Sequence, residues 1–108
     1  MSHEQHQQVI RALQECIIAC NHCFDACLKE DDVKMMEQCI RLDRECADIC
    51  SHFAQVLCTN SPFASELASL CAKICEACGN ECQKHEHEHC QKCANACFQC
   101  AEACKNVA

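Results

Sequence analysis

Cysteine recurs along this chain at intervals of three and four, the spacing that keeps side chains on one face of an α-helix. Cys16, Cys20, Cys23 and Cys27 extend an apolar seam begun by Val9 and Leu13. The rhythm returns as Cys71, Cys75, Cys78 and Cys82, and again as Cys90, Cys93, Cys97, Cys100 and Cys104. A fourth run, Cys39, Cys46, Cys50 and Cys58, is interrupted by Leu42, Phe53 and Leu57 and forms a broken ladder. All seventeen cysteines are expected to face one axis.

Seven pairs are spaced Cys-x-x-x-Cys: 16/20, 23/27, 46/50, 71/75, 78/82, 93/97 and 100/104. Side chains at i and i+4 stack about 5 to 6 Å apart at Cβ, so two sulfurs can converge on one ion between them. A soft ion that accepts two or three thiolates, Cu(I), suits such pairs better than Zn(II), which prefers four ligands in a tetrahedron. Charge points the same way. Burying many uncompensated thiolates would cost several kcal/mol each, whereas Cu(I) supplies one positive charge per sulfur. With each sulfur bridging two ions, the expected load approaches one Cu(I) per cysteine, roughly seventeen per chain. Free thiols titrate near 8.5, so the empty core is mostly neutral and packs as small apolar side chains.

The elements that position these ladders are helices. Apolar positions recur at three and four rather than two, and β-branched residues are scattered. Breaks fall at Glu30-Asp31-Asp32, whose acidic residues can cap a following helix, at Thr59-Asn60-Ser61-Pro62, and around His85-Glu86-His87. The expected helices are Glu4 to Lys29, Val33 to Cys58, Pro62 to Lys84 and Glu88 to Asn106, with Ser61 as N-cap and Pro62 at the first helical position of the third. Short connections make sequential helices antiparallel, giving an all-α four-helix bundle with a cysteine-lined core as one domain over residues 1–108. Gly79 falls inside the third helix, where it is expected to allow a close backbone approach.

Composition separates this chain from disulfide scaffolds. The cysteine count of 17 is odd, and the chain of 108 residues has one Gly and one Pro where such scaffolds are loop-rich. Met1 to Gln8 shows neither a basic nor an apolar export region, so reduced thiols in the cytosol are expected. The net charge of −7, with no long run of Lys or Arg, argues against a nucleic-acid partner. Apolar runs such as Cys16 to Cys20 are far too short to span a membrane.

One end of the bundle gathers Met35, Met36, His85, His87 and His89 beside Cys27, Cys39, Cys82 and Cys90, all of them possible copper ligands. The other end gathers Val9, Leu13, Leu57, Leu67 and Val107 around Cys58 and reads as an apolar plug. Copper is therefore expected to enter at the His/Met end. The blander readings are solvated histidines in a polar connection, methionines packing a helix start, and Cys58 as a structural thiol. His22 beside Cys23 suggests a nucleophile and its base, but no third orienting group or substrate loop accompanies them, and no enzyme activity is expected.

The four ladders, together with Cys-Asn-His-Cys-Phe at Cys20 to Phe24 and Arg-Glu-Cys-Ala-Asp-Ile-Cys at Arg44 to Cys50, resemble the bacterial copper storage proteins. Cys-Glu-Ala-Cys-Gly at Cys75 to Gly79 and the Cys90 to Phe98 segment extend the resemblance over nearly the whole chain. The resemblance implies a homotetramer of four-helix bundles, each filling its core with Cu(I) mainly through cysteine, in the cytosolic branch of the family. Three rivals remain. A ferredoxin-type iron–sulfur run needs a Cys-Pro that is absent here. A thioredoxin-type redox site lacks its βαβ context. A zinc or general soft-metal thiolate buffer fits the same ligands.

Overall fold

The computed structural model describes the backbone of residues 3–107 and side chains from His6 onward, so Met1, Ser2 and Ala108 of the single-domain reading lie outside the described residues. Four helices follow one another: α1 (His3–Leu28), α2 (Glu37–Cys58), α3 (Ala64–Cys82) and α4 (Glu88–Lys105). Each packs on its two neighbours around a ring, α1 on α2 and α4, α3 on α2 and α4, in a body of 45 × 19 × 17 Å. No strand occurs among the described residues, and no described helix is long and apolar enough to cross a membrane.

The stripe that closes the ring is sulfur. Sixteen cysteines are buried, with Ala47, Ala68, Ala72, Ala94 and Ala101 as small spacers between them. Small side chains on all four inner faces let the helices approach closely. Larger hydrocarbons collect at one end, where Val9, Leu13, Phe53, Val56 and Leu57 are buried and Leu67 and Val107 half-buried. The outer faces carry exposed one-turn ion pairs such as Lys29–Asp25 and Arg41–Glu37, and Arg44 lies 5.5 Å over the Phe24 ring between α1 and α2.

Helix ends follow local chemistry, with corrections to the expected bounds. Asn60, at φ 54°, takes the left-handed conformation after α2, and the Ser61 N–H donates to Val56 O at 3.4 Å, closing the end as a Schellman turn. Ser61 Oγ then accepts the Phe63 N–H at 3.1 Å, but regular helix starts at Ala64, two residues after Pro62. Residues Val33–Met36, expected as the first turn of the second helix, form a separate 3-10 turn. Asp32 precedes it without capping through its side chain. Glu30 and Asp32 face histidines instead, as described below.

Gly79 does allow a close approach, but of a ring rather than of backbone. A Cβ at this position would lie 2.8 Å from Phe98 Cε1 on α4. Gly79→Ala is therefore expected to lower the stability of the copper-free protein by roughly 1–3 kcal/mol through overpacking, against its gain in helix propensity. Thermal unfolding by circular dichroism checks this, with Phe98→Leu as the background in which the penalty should shrink.

Candidate metal centre

Helical periodicity turns one ladder from each helix inward, and the ring of four helices brings the ladders into one column. Within α1, Cys16 and Cys20 sulfurs are 3.9 Å apart and Cys23 and Cys27 3.8 Å. On α3 and α4, Cys78/Cys82 and Cys93/Cys97 are each 3.9 Å apart. Distances between helices are just as short. Cys16 lies 3.7 Å from Cys46, Cys20 3.7 Å from Cys97, Cys46 3.7 Å from Cys75 and Cys50 3.6 Å from Cys75. Two metal–sulfur bonds of about 2.3 Å span at most about 4.6 Å, so sulfurs this close can share an ion without moving a helix.

The natural unit is thus larger than the Cys-x-x-x-Cys pair. Cys16, Cys46, Cys50 and Cys75 lie within 4.8 Å of one another, as do Cys16, Cys20, Cys46 and Cys97. Cys20, Cys78, Cys93 and Cys97 form another such set, and Cys23, Cys27, Cys39 and Cys90 a fourth. Cys16, Cys20, Cys46 and Cys97 each belong to two sets. Shared thiols suit ions bridged into clusters, whereas a structural zinc site closes on four ligands of its own. Cys50 carries the column on to Cys71 and Cys100, each at 3.8 Å, and Cys104 ends it, buried.

Cys58 is the exception to the expectation that all seventeen cysteines face one axis, because its side chain is exposed. The seam of α2 runs Cys46, Cys50, Phe53, Leu57. One residue further turns the next side chain about 100° around the helix and away from the core. Leu42, read as part of that seam, is likewise only half-buried.

The position that fills the break in the α2 ladder is Asp43, one turn after Cys39 and three residues before Cys46, and sequence reasoning missed it. A lone acid on an apolar seam was the available signal. Asp43 is fully buried. Its Oδ1 lies 3.3 Å from the Cys78 and Cys93 sulfurs and 3.5 Å from Cys82, and its Oδ2 3.8 Å from Cys39. These thiols give both carboxyl oxygens hydrogen-bond partners. Burial, and then the nearby Cys93 and Cys39, push its pKa up to about 9. With Cys23, Cys39 and Cys82 it offers a mixed sulfur and oxygen ligand set. Cys39 and Cys82 are also the closest sulfurs, at 3.2 Å. Nearer the end, burial first and then the Cys39 charge push the Cys90 thiol up to about 12.

The expected His/Met end is assembled, but its residues divide. Met36 is buried in the core while Met35 is 72% exposed. His89 Nδ1 lies 3.4 Å from the Cys23 sulfur, 3.5 Å from Cys90 and 4.0 Å from Cys27. Among the described residues it is the histidine that reaches the thiols. His85 pairs with Glu81 at 2.9 Å, and His87 Nε2 lies 3.2 Å from Asp32. His22 is exposed, its ring edge-on to His89 at 6.5 Å. No third group joins His22 and Cys23 as a catalytic unit among the described contacts.

Comparison with known proteins gives this geometry a context. The sequence profile described as "Copper storage protein" matches residues 2–108. YhjQ of Bacillus subtilis, described as an uncharacterized cysteine-rich protein, is 55% identical over 85 residues, 79% of each chain. The bundle is similar to the Cu(I)-bound copper storage protein BsCsp3, with a TM-score of 0.92 and 54% identity over 96% of this chain and 98% of that one. It is also similar to a cytosolic copper storage protein from Streptomyces lividans carrying five coppers, with a TM-score of 0.93 and 39% identity over 96% of this chain and 92% of that one.

Asp43 yields a test on the copper-free protein. Its native pKa of about 9 lies above the ordinary 3.8, so the folded chain holds a proton that the unfolded chain has lost between those values. Its contribution to stability is therefore present below about pH 4 and is lost as pH rises towards 9. Asp43→Asn keeps the shape and removes the ionisation. Its unfolding midpoint is expected to exceed that of the parent, with the gap widening from pH 5 to pH 8. A gap independent of pH would show that Asp43 does not hold this proton.

Proposed function

Because this chain belongs to the copper storage protein family, we propose that its Cu(I) is held by the sixteen buried cysteines, with Cys58 outside the store. The chain stores multiple Cu(I) ions through cysteine in a four-helix bundle, and its family is one of storage rather than catalysis. The observation that carries the assignment of ligands is the unbroken column of shared thiols from Cys27 to Cys104.

Loading exchanges protons for metal. Each thiol that binds Cu(I) gives up its proton, and one positive ion per thiolate keeps the buried column close to neutral. Bridging thiolates then hold roughly one ion per buried cysteine. Asp43 adds an oxygen ligand where the α2 ladder lacks a sulfur. Copper enters where His89 reaches Cys23, Cys27 and Cys90, with His85, His87 and exposed Met35 lining the approach. The other end is shut by Val9, Leu13, Phe53 and Leu57. The store is cytoplasmic, as the Streptomyces relative is described to be, and assembles as a homotetramer with neither nucleic acid nor membrane as partner.

Anaerobic titration of the reduced protein with Cu(I) against a competing chelator tests the ligand assignment. About sixteen ions per chain are expected, one per buried cysteine, and Cys58→Ser should leave the count unchanged. Excess Zn(II) should not displace them. A plateau at a few ions, or loss of capacity in Cys58→Ser, would overturn it.

A further inference from the structure

The doorway histidine has a partner on the far side of its ring. His89 Nδ1 faces the Cys23 and Cys90 sulfurs at 3.4 and 3.5 Å, while its Nε2 lies 2.7 Å from Glu30 Oε2. Glu30 sits just beyond the end of α1, its backbone N–H held by Cys27 O at 3.2 Å, and His89 is the second residue of α4. The contact therefore joins two chain segments 59 residues apart at the opening of the column. The His89 side chain is 12% exposed and that of Glu30 29%, so the pair is sheltered while its outer edge remains open.

A neutral imidazole carries one ring proton and has two places to put it. A carboxylate accepts hydrogen bonds and donates none, so Glu30 fixes the proton on Nε2. That leaves the Nδ1 lone pair bare and aimed at the thiols, ready to bind a soft ion. His87 reinforces the placement. Its ring stacks on His89 at 5.3 Å and 6°, its Nδ1 lies 3.2 Å from Glu30 and its Nε2 3.2 Å from Asp32.

We propose that Glu30 is the positioning residue of the copper doorway, which holds His89 in the Nε2–H tautomer and so presents Nδ1 to Cu(I) arriving at Cys23 and Cys90. The proposal rests on the reading of His89 as the ligand that incoming copper meets first. Glu30 itself acts on the rate of loading and not on capacity, because the column of thiols lies beyond it. An outer carboxylate on a ligating histidine is worth roughly 10–100-fold in affinity or activity, which sets the size of the expected effect.

Three variants test it: Glu30→Ala, Glu30→Gln and His89→Ala. The ring nitrogens of His89 are followed by long-range ¹H–¹⁵N correlation in the reduced copper-free protein, and Cu(I) transfer from a coloured chelator is followed by stopped flow. Glu30→Ala should show mixed His89 tautomers and load roughly tenfold more slowly to the same final count. Glu30→Gln keeps an oxygen acceptor and should restore both the tautomer and most of the rate. Slow loading in His89→Ala with parental behaviour in Glu30→Ala would overturn the role of Glu30 alone. Parental loading in His89→Ala would overturn the doorway reading and the proposal with it, leaving the storage column intact. Slow loading of Glu30→Ala with an unchanged tautomer, or without rescue by Gln, would assign Glu30 a merely structural part.

Discussion

Sulfur standing where hydrocarbon usually stands is the constraint on which the bundle depends. A protonated thiol packs as a small, weakly polar side chain, so sixteen of them can line the inner faces of four helices. The same atom becomes a strong soft ligand once its proton leaves. Small size has a second consequence. Cysteine and alanine on the inner faces let neighbouring helices approach until sulfurs on different helices are as close as sulfurs one turn apart, for example 3.7 Å for Cys16–Cys46 and 3.9 Å for Cys16–Cys20. Bulkier side chains would hold the ladders apart and isolate each pair.

The column is built with unequal ends. Leucine, valine and phenylalanine complete the core where α2 meets α3, and they offer an ion nothing to bind. At the other end the core opens onto imidazoles backed by carboxylates. Those ligands are harder than thiolate and partly exposed, so an ion held there would pass inward to softer partners.

Asp43 marks the one place where the column departs from sulfur. A carboxyl buried among thiols is costly as an anion, and the four sulfurs around it satisfy it without neutralising it. Burial favours its protonated form in the empty protein. A cation among Cys23, Cys39 and Cys82 would change that balance locally by replacing the proton as the compensating charge.

Helical periodicity made much of this visible from the chain alone. Spacings of three and four placed cysteines on one face of each helix, and Thr59-Asn60-Ser61-Pro62 marked a break between helices. These are local properties, carried by each segment whatever its neighbours do. The register of one helix against another is not local. It decides that Cys39 meets Cys82, that Asp43 falls opposite Cys78 and Cys93, and that Phe98 lies on Gly79. It also brings Glu30 to His89 across 59 residues, where the sequence suggested only a helix cap. One-dimensional spacing determines which side chains share a face, and only the packing of four faces decides which of them share an ion or a proton.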